Sequence, residues 1–191
     1  MRAQTLNWPL IAALLFALPA WANPVPYTLE PAASSVGFET DFGPDHISGK
    51  MPVSRADLTL DFDQVAASRI AVTLDVTGAN ASFPFAAQAM KGPKVLDSVE
   101  FPTITFVSTT VRKDGEGAIV DGTLTIRGVS KMVRMQANIY RQKGHDAGDL
   151  SHLSIRMTGA VNRSDFGATG WSDLVGDQVR LDILARIARV N

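Results

Sequence analysis

The sequence predicts an all-β fold: an antiparallel barrel of about eight strands with a short helical insertion. Three observations carry this. Apolar and polar residues alternate with a period of two over most of the chain. The connections are short and rich in Gly, Pro, Asn and Asp. The strand–helix–strand rhythm of a parallel sheet is missing. At 46% hydrophobic content, 191 residues hold ample material for one core.

The elements follow in order. Tyr27-Thr28-Leu29 is a short strand, and Ser34 to Phe42 is the first long one. Gly43-Pro44-Asp45 is turn chemistry. Ile47 to Phe62 is a long segment interrupted by Pro52, and Asp63 to Ala67 reads as a helical turn. Ile70, Val72, Leu74 and Val76 alternate with Ala71, Thr73, Asp75 and Thr77, which places one buried face on a strand. Phe85 to Leu96 is the one helical zone, broken at Gly92-Pro93. Pro102 to Val111 and Ala118 to Arg127 are strands joined by a loop over Lys113 to Gly117. Gly128-Val129-Ser130 turns the chain into Met132 to Arg141. A polar loop, Gln142 to Asp149, leads to the strand of Leu153, Ile155 and Met157. The last strand carries Val179, Leu181, Ile183, Ala185 and Ile187. A sheet of this length must close or fold over to protect its edges. A two-sheet sandwich fits the same alternation and stays the structural alternative.

Residues 1–22 read as a cleaved export signal. Arg2 supplies the positive start, Leu10 to Leu18 the apolar stretch, and Ala20-Trp21-Ala22 a small-x-small cleavage site. Cleavage is expected between Ala22 and Asn23, leaving residues 23–191 as one domain in a periplasmic or secreted location. The apolar stretch is too short to span ~30 Å of hydrocarbon.

Composition narrows the chemistry. A net charge of −1 speaks against nucleic acid as a partner. With 0 Cys there is no disulfide framework, thiol nucleophile or thiolate metal site. His46, His145 and His152 stand in no short metal-ligand spacing and read as surface histidines, with a carboxylate–imidazole site of Asp41, Asp45 and His46 as the alternative. No nucleophile elbow or P-loop occurs, and no residue is assigned a catalytic role. The inward strand faces are almost purely Val, Ile, Leu, Phe and Met. Alternation leaves two readings open, a packed core and a lined cavity. Asn162 to Gly167 is a polar cluster before a Gly-rich loop, where Arg163 either meets an anionic headgroup or pins the loop. Lys91 and Lys94 are solvated charges or flank an entrance.

Four ordered stretches resemble the YceI-like family. They are Tyr27 to Phe38, Lys94 to Phe106, Gly122 to Lys131, and Arg163 to Gly167 followed by Val175 to Val179. Two departures stand out: Glu39 to Gly43 lacks the histidine often found there, and Val95-Leu96-Asp97 replaces the usual Phe-Phe-Asp. The resemblance implies a lipocalin-like barrel that holds a polyisoprenoid or similar long amphiphile, a quinone among them, and is not an enzyme. On that reading the wall residues are Phe38, Ile70, Val72, Leu74, Ile104, Phe106, Leu124, Ile126, Met135, Ile155, Met157, Leu181 and Ile183, with Arg163 as the headgroup contact. The other readings are an interaction module with a filled barrel, serving a transient membrane-protein partner, and more distantly an enzyme acting on an exported substrate. No oligomeric state is implied.

Overall fold

The computed structural model describes residues 22–141, 146 and 148–190. The predicted leader up to Trp21 and the segment Gln142 to His145 lie outside the described residues. Among the described residues there are eleven strands and one α-helix. They are β1 (Val25–Leu29), β2 (Ser35–Phe42), β3 (Asp45–Met51), β4 (Val53–Leu60), β5 (Arg69–Asp75), β6 (Asn80–Ala81), α1 (Pro84–Lys91), β7 (Thr103–Asp114), β8 (Gly117–Ile126), β9 (Val129–Arg141), β10 (His152–Asn162) and β11 (Val175–Arg189).

Eight positions close the ring in the order β1, β4, β5, β7, β8, β9, β10, β11, with β1 pairing back onto β11. The extra strands arise because two positions are each shared by two segments. β1 pairs with the end of β11 through Tyr27, Thr28 and Leu29, and β2 pairs with its first half. In the same way β4 pairs with β5 while β3 pairs with β2. The break between β3 and β4 is Pro52, which has no N–H to give to a ladder; its carbonyl accepts the Asp75 N–H at 2.8 Å. Beyond that point β3 leaves β5 and pairs instead with the two residues of β6. The wall therefore parts between β3 and β5. The segment carrying β6 and α1 fills the gap, anchored by the buried side chains of Val76, Ala79 and Leu96.

The hairpins are tighter than the sequence suggests. The loop expected over Lys113 to Gly117 shrinks to Gly115-Glu116, with Gly115 at φ 57°. The turn expected over Gly128 to Ser130 is Arg127-Gly128, both at positive φ, so that Val129 already pairs with Ile126. Two positive φ values in succession match the right-handed twist of the flanking strands, which a looser turn would splay. The helical zone stops at Lys91 because Gly92-Pro93 cannot continue it.

One end of the barrel is sealed. Tyr27, Leu60, Leu153 and Ile187 are buried together there, Leu153 and Ile187 completely. Tyr27 packs edge-on against Phe62 at 5.9 Å and donates its hydroxyl hydrogen to the Leu150 carbonyl at 2.9 Å. Asp61 organises the turn at this end. Its carboxylate accepts the backbone N–H groups of Gln64 (2.7 Å), Asn23 (2.8 Å) and Asp63 (3.0 Å). These bonds, led by that from Gln64, hold its pKa below the usual carboxylate range against the opposing pull of burial. Its contribution to stability is thus present above the ordinary Asp pKa and is lost as pH falls through the depressed folded value. Asp61→Asn is expected to be less stable than the parent at pH 7. The gap between the two should close as the pH falls below the ordinary Asp pKa of about 4, read by circular dichroism in acid titrations. A gap independent of pH would contradict the assignment.

Candidate functional site

The middle of the barrel is hollow. A cavity of about 500 Å³ runs from the sealed end to the end that carries α1, inside the ~300–1,000 Å³ range of small-molecule sites. All the predicted wall positions line it. They come from β2 (Phe38), β5 (Ile70, Val72, Leu74), β7 (Ile104, Phe106), β8 (Leu124, Ile126), β9 (Met135), β10 (Ile155, Met157) and β11 (Leu181, Ile183). Val95 and Leu96, at the departure from the family pattern, line it as well.

An eight-stranded interior is just wide enough either to fill with side chains or to hold one small ligand. Two glycines make room at the wall for its large rings. An added Cβ on Gly49 would lie 2.3 Å from the Phe38 ring, and one on Gly122 would lie 2.5 Å from the Phe106 ring. The outer edge of each ring thus occupies the place where a side chain on the neighbouring strand's glycine would stand.

The cavity's polarity is already spent. Besides the Trp171 indole, the polar side chains in its lining are Ser34, Thr40, Asp61, Ser68 and Arg163. Ser34 Oγ donates to the Glu30 carbonyl at 2.8 Å, and Thr40 Oγ1 lies 3.0 Å from the carbonyls of both Gly176 and Gln178. Ser68 Oγ accepts the Asp61 N–H at 3.0 Å. What remains to meet a ligand is hydrocarbon.

Arg163 takes the second of its two expected roles. It is buried, and its guanidinium donates to four backbone carbonyls: Ala168 and Gly170 at 2.7 Å, Val175 and Gly176 at 2.9 Å. Two of these carbonyls lie in the turn that follows Phe166 and two at the start of β11, so the chain curls around the guanidinium as around an ion. Gly167 at φ 73° turns the chain into that loop, and Asp177 accepts the N–H and hydroxyl of Ser164 at 2.9 and 2.8 Å. Four of the five guanidinium N–H groups are committed. Arg163 therefore holds the mouth in shape, and the expected headgroup contact is replaced by a loop anchor.

The alternative histidine site faces away from the cavity. His46 Nδ1 lies 3.1 Å from Asp41, which also accepts from Arg180 at 2.7 Å; Arg180 reaches Glu39 at 2.9 Å. All four side chains lie on the outer surface. Lys91 donates to the Thr77 carbonyl at 2.6 Å. Among the described residues no group of three or more His, Asp or Glu is placed to hold a metal ion.

The apolar rim of the mouth was not legible in the sequence. It consists of Phe83, Phe85, Trp171 and Leu174, which line the cavity and also stand exposed. The Leu174 carbonyl accepts the Gly43 N–H at 3.1 Å, and Phe42 meets Phe83 at 6.2 Å, which ties the three segments of the rim together. Trp171 sits at φ 54°, a conformation that costs a bulky residue on the order of 1 kcal/mol. Phe83 occupies the N-cap of α1 without a capping hydrogen bond, where Ser or Asp would add about 1 kcal/mol. A tryptophan inside a Gly-rich turn was the available signal.

Comparison with known proteins agrees with this architecture. The YceI-like domain model matches residues 27–187. Protein YceI of Escherichia coli O157:H7 is 30% identical over 112 residues, 58% of either chain, so the match spans under two thirds of that relative. A UPF0312 protein of Enterobacter sp. (strain 638) is 28% identical over 132 residues, 69% of this chain and 67% of the relative. Among solved structures, Burkholderia cenocepacia BcnA aligns with a TM-score of 0.74 at 21% identity, covering 83% of this chain and 99% of its own. A polyisoprenoid binding domain from Saccharophagus degradans, implicated in plant cell wall breakdown, aligns with a TM-score of 0.63 at 14% identity, covering 87% and 99%. At these identities the two structures speak to the fold.

Proposed function

The chain belongs to the YceI-like family, and from that premise we propose that its barrel takes up the tail of a long isoprenoid or similar amphiphile and shields it from water. The observation that carries this reading is the hollow lined by apolar side chains, in which the polar groups are already bonded to the protein's own backbone. The Saccharophagus degradans neighbour, described as polyisoprenoid binding, supports the ligand class. Binding a tail here is driven by its removal from water, about 0.8 kcal/mol per methylene, so a tail of about twenty contributes a gross ~16 kcal/mol. Ordering and lost free motion take back ~4–15 kcal/mol, which leaves room for micromolar or tighter affinity with no special contact. Met135 and Met157 let the wall adapt to irregular tails. Selection is then by length and shape, with the headgroup left at the mouth. On the same reading the leader directs the protein to the periplasm or outside the cell.

The filled-barrel interaction module and the enzyme find less support. The first needs an occupied lumen. The second needs an inward acid, base or nucleophile, and the one carboxylate in the lining, Asp61, is engaged by three backbone N–H groups. The test is organic extraction of the protein as purified, followed by mass spectrometry and by uptake of an added isoprenoid alcohol. Recovery of one amphiphile per chain is the expected result. No extracted lipid together with no uptake would overturn the proposal.

A further inference from the structure

We infer that the mouth docks on a lipid bilayer, with Phe85, Trp171 and Leu174 inserted into its interface. The inference rests on the carrier reading above and names where the cargo crosses. Phe85 is 75% exposed, Leu174 57% and Trp171 44%, large values for apolar side chains of this size. They come from two segments far apart in sequence, α1 and the turn before β11, yet they surround one opening. The same side chains face solvent on one side and the cavity on the other. Hydrocarbon is thus continuous from the outer rim to the interior, and a tail that leaves a bilayer against this rim enters the barrel without crossing water.

Two local features argue that apolar side chains are placed at this rim against the chain's own preferences, one at the inserted Trp171 and one at the neighbouring Phe83. Trp171 occupies the left-handed region that favours glycine or asparagine, and Phe83 stands at a helix start that favours a small polar residue. Such conflicts between local preference and fold concentrate at functional positions.

The chemistry of the rim selects a bilayer over a charged protein surface. Among the described residues the exposed charges near Trp171 and Leu174 are of both signs, Lys94 against Asp173 and Asp45, so no single-sign cluster marks the rim. The contact must then be apolar, with the tryptophan ring at the headgroup boundary, where its N–H finds water and its body finds hydrocarbon. Among the described residues no helix is long and apolar enough to cross a membrane.

The test compares the parent chain with the triple variant Phe85→Ser, Trp171→Asn, Leu174→Ser. Asparagine is chosen because it accepts the left-handed conformation at 171. Both are expressed from the full sequence, their N termini read by intact mass, and both are sedimented with vesicles of phosphatidylethanolamine and phosphatidylglycerol. The parent is expected to sediment at low and high salt alike, and the variant at least about tenfold less. Phe85→Ser alone changes an exposed helical position and is expected to give a partial loss, which guards against misfolding of the triple variant. A parent that stays in solution, a variant that sediments equally, or binding abolished by salt would each overturn the inference. So would a parent that forms a dimer lost in the variant and binds no vesicle, which would make the rim a self-association surface. The cavity and the rim fail separately: a Val72→Trp chain with its lumen blocked still sediments if the rim is the anchor, whatever becomes of its ligand.

Discussion

Replacing Arg163 by methionine is expected to destabilise the fold by about 3–5 kcal/mol and to collapse the mouth. Methionine fills a similar volume and gives no hydrogen bond, so the carbonyls of Ala168, Gly170, Val175 and Gly176 lose their common donor. They lie in the turn after Phe166 and at the start of β11, and of the four only Gly176 has another side-chain donor among the described residues, the Thr40 hydroxyl. A bond from a charged donor contributes ~1.5–3 kcal/mol, and four bonds to one group do not add fully because the loop relaxes once the first is lost. For a chain of this size the melting temperature should fall by roughly 10 °C. Arg163→Lys is expected to recover only a small part, since a point cation on a flexible stem cannot reach four carbonyls held in the plane of a guanidinium. A melting temperature within 2 °C of the parent, by about the same scaling, would mean that Ser164, Asp177 and Thr40 hold the loop by themselves.

Val72→Trp is expected to weaken ligand uptake by about two orders of magnitude while leaving the protein as stable as the parent, or more so. Val72 stands half-buried on β5, opposite Ala56 and Phe106, and faces the lumen. In a solid core an indole in that position would overpack its neighbours at a cost of about 1–3 kcal/mol. In a hollow it meets free space and removes its own apolar surface from water. The ring displaces space for roughly four methylenes, which at 0.8 kcal/mol each lowers affinity by about two orders of magnitude. Thermal melts and uptake of an added isoprenoid alcohol read the two effects independently. A destabilised variant that binds normally would show that the lumen is packed and the ligand lies elsewhere.

The wall was readable because a strand presents every second side chain to the same face. Once Ile70, Val72 and Leu74 are seen to alternate with Ala71, Thr73 and Asp75, their common side follows, and closure of the sheet makes that side the interior. Arg163 shows where such reading ends. Its residue type and its place before a Gly-rich loop fit both a headgroup contact and a loop anchor, and the difference lies in four carbonyls that approach it only when β11 folds back beside β10. The rim was hidden for a related reason. Phe85 and Trp171 share no periodicity, and their meeting depends on the wall parting at Pro52 so that α1 reaches the turn before β11.

Alternation and turn chemistry along the chain were enough to establish strands, their inward faces and a closed antiparallel sheet, since these depend on neighbours within a few residues. Whether the enclosed space is full or empty was decided by the tertiary structure alone. The rings of Phe38 and Phe106 lie over Gly49 and Gly122, contacts fixed by the register of the β2–β3 and β7–β8 hairpins and by closure of the sheet, neither of which alternation along one strand specifies.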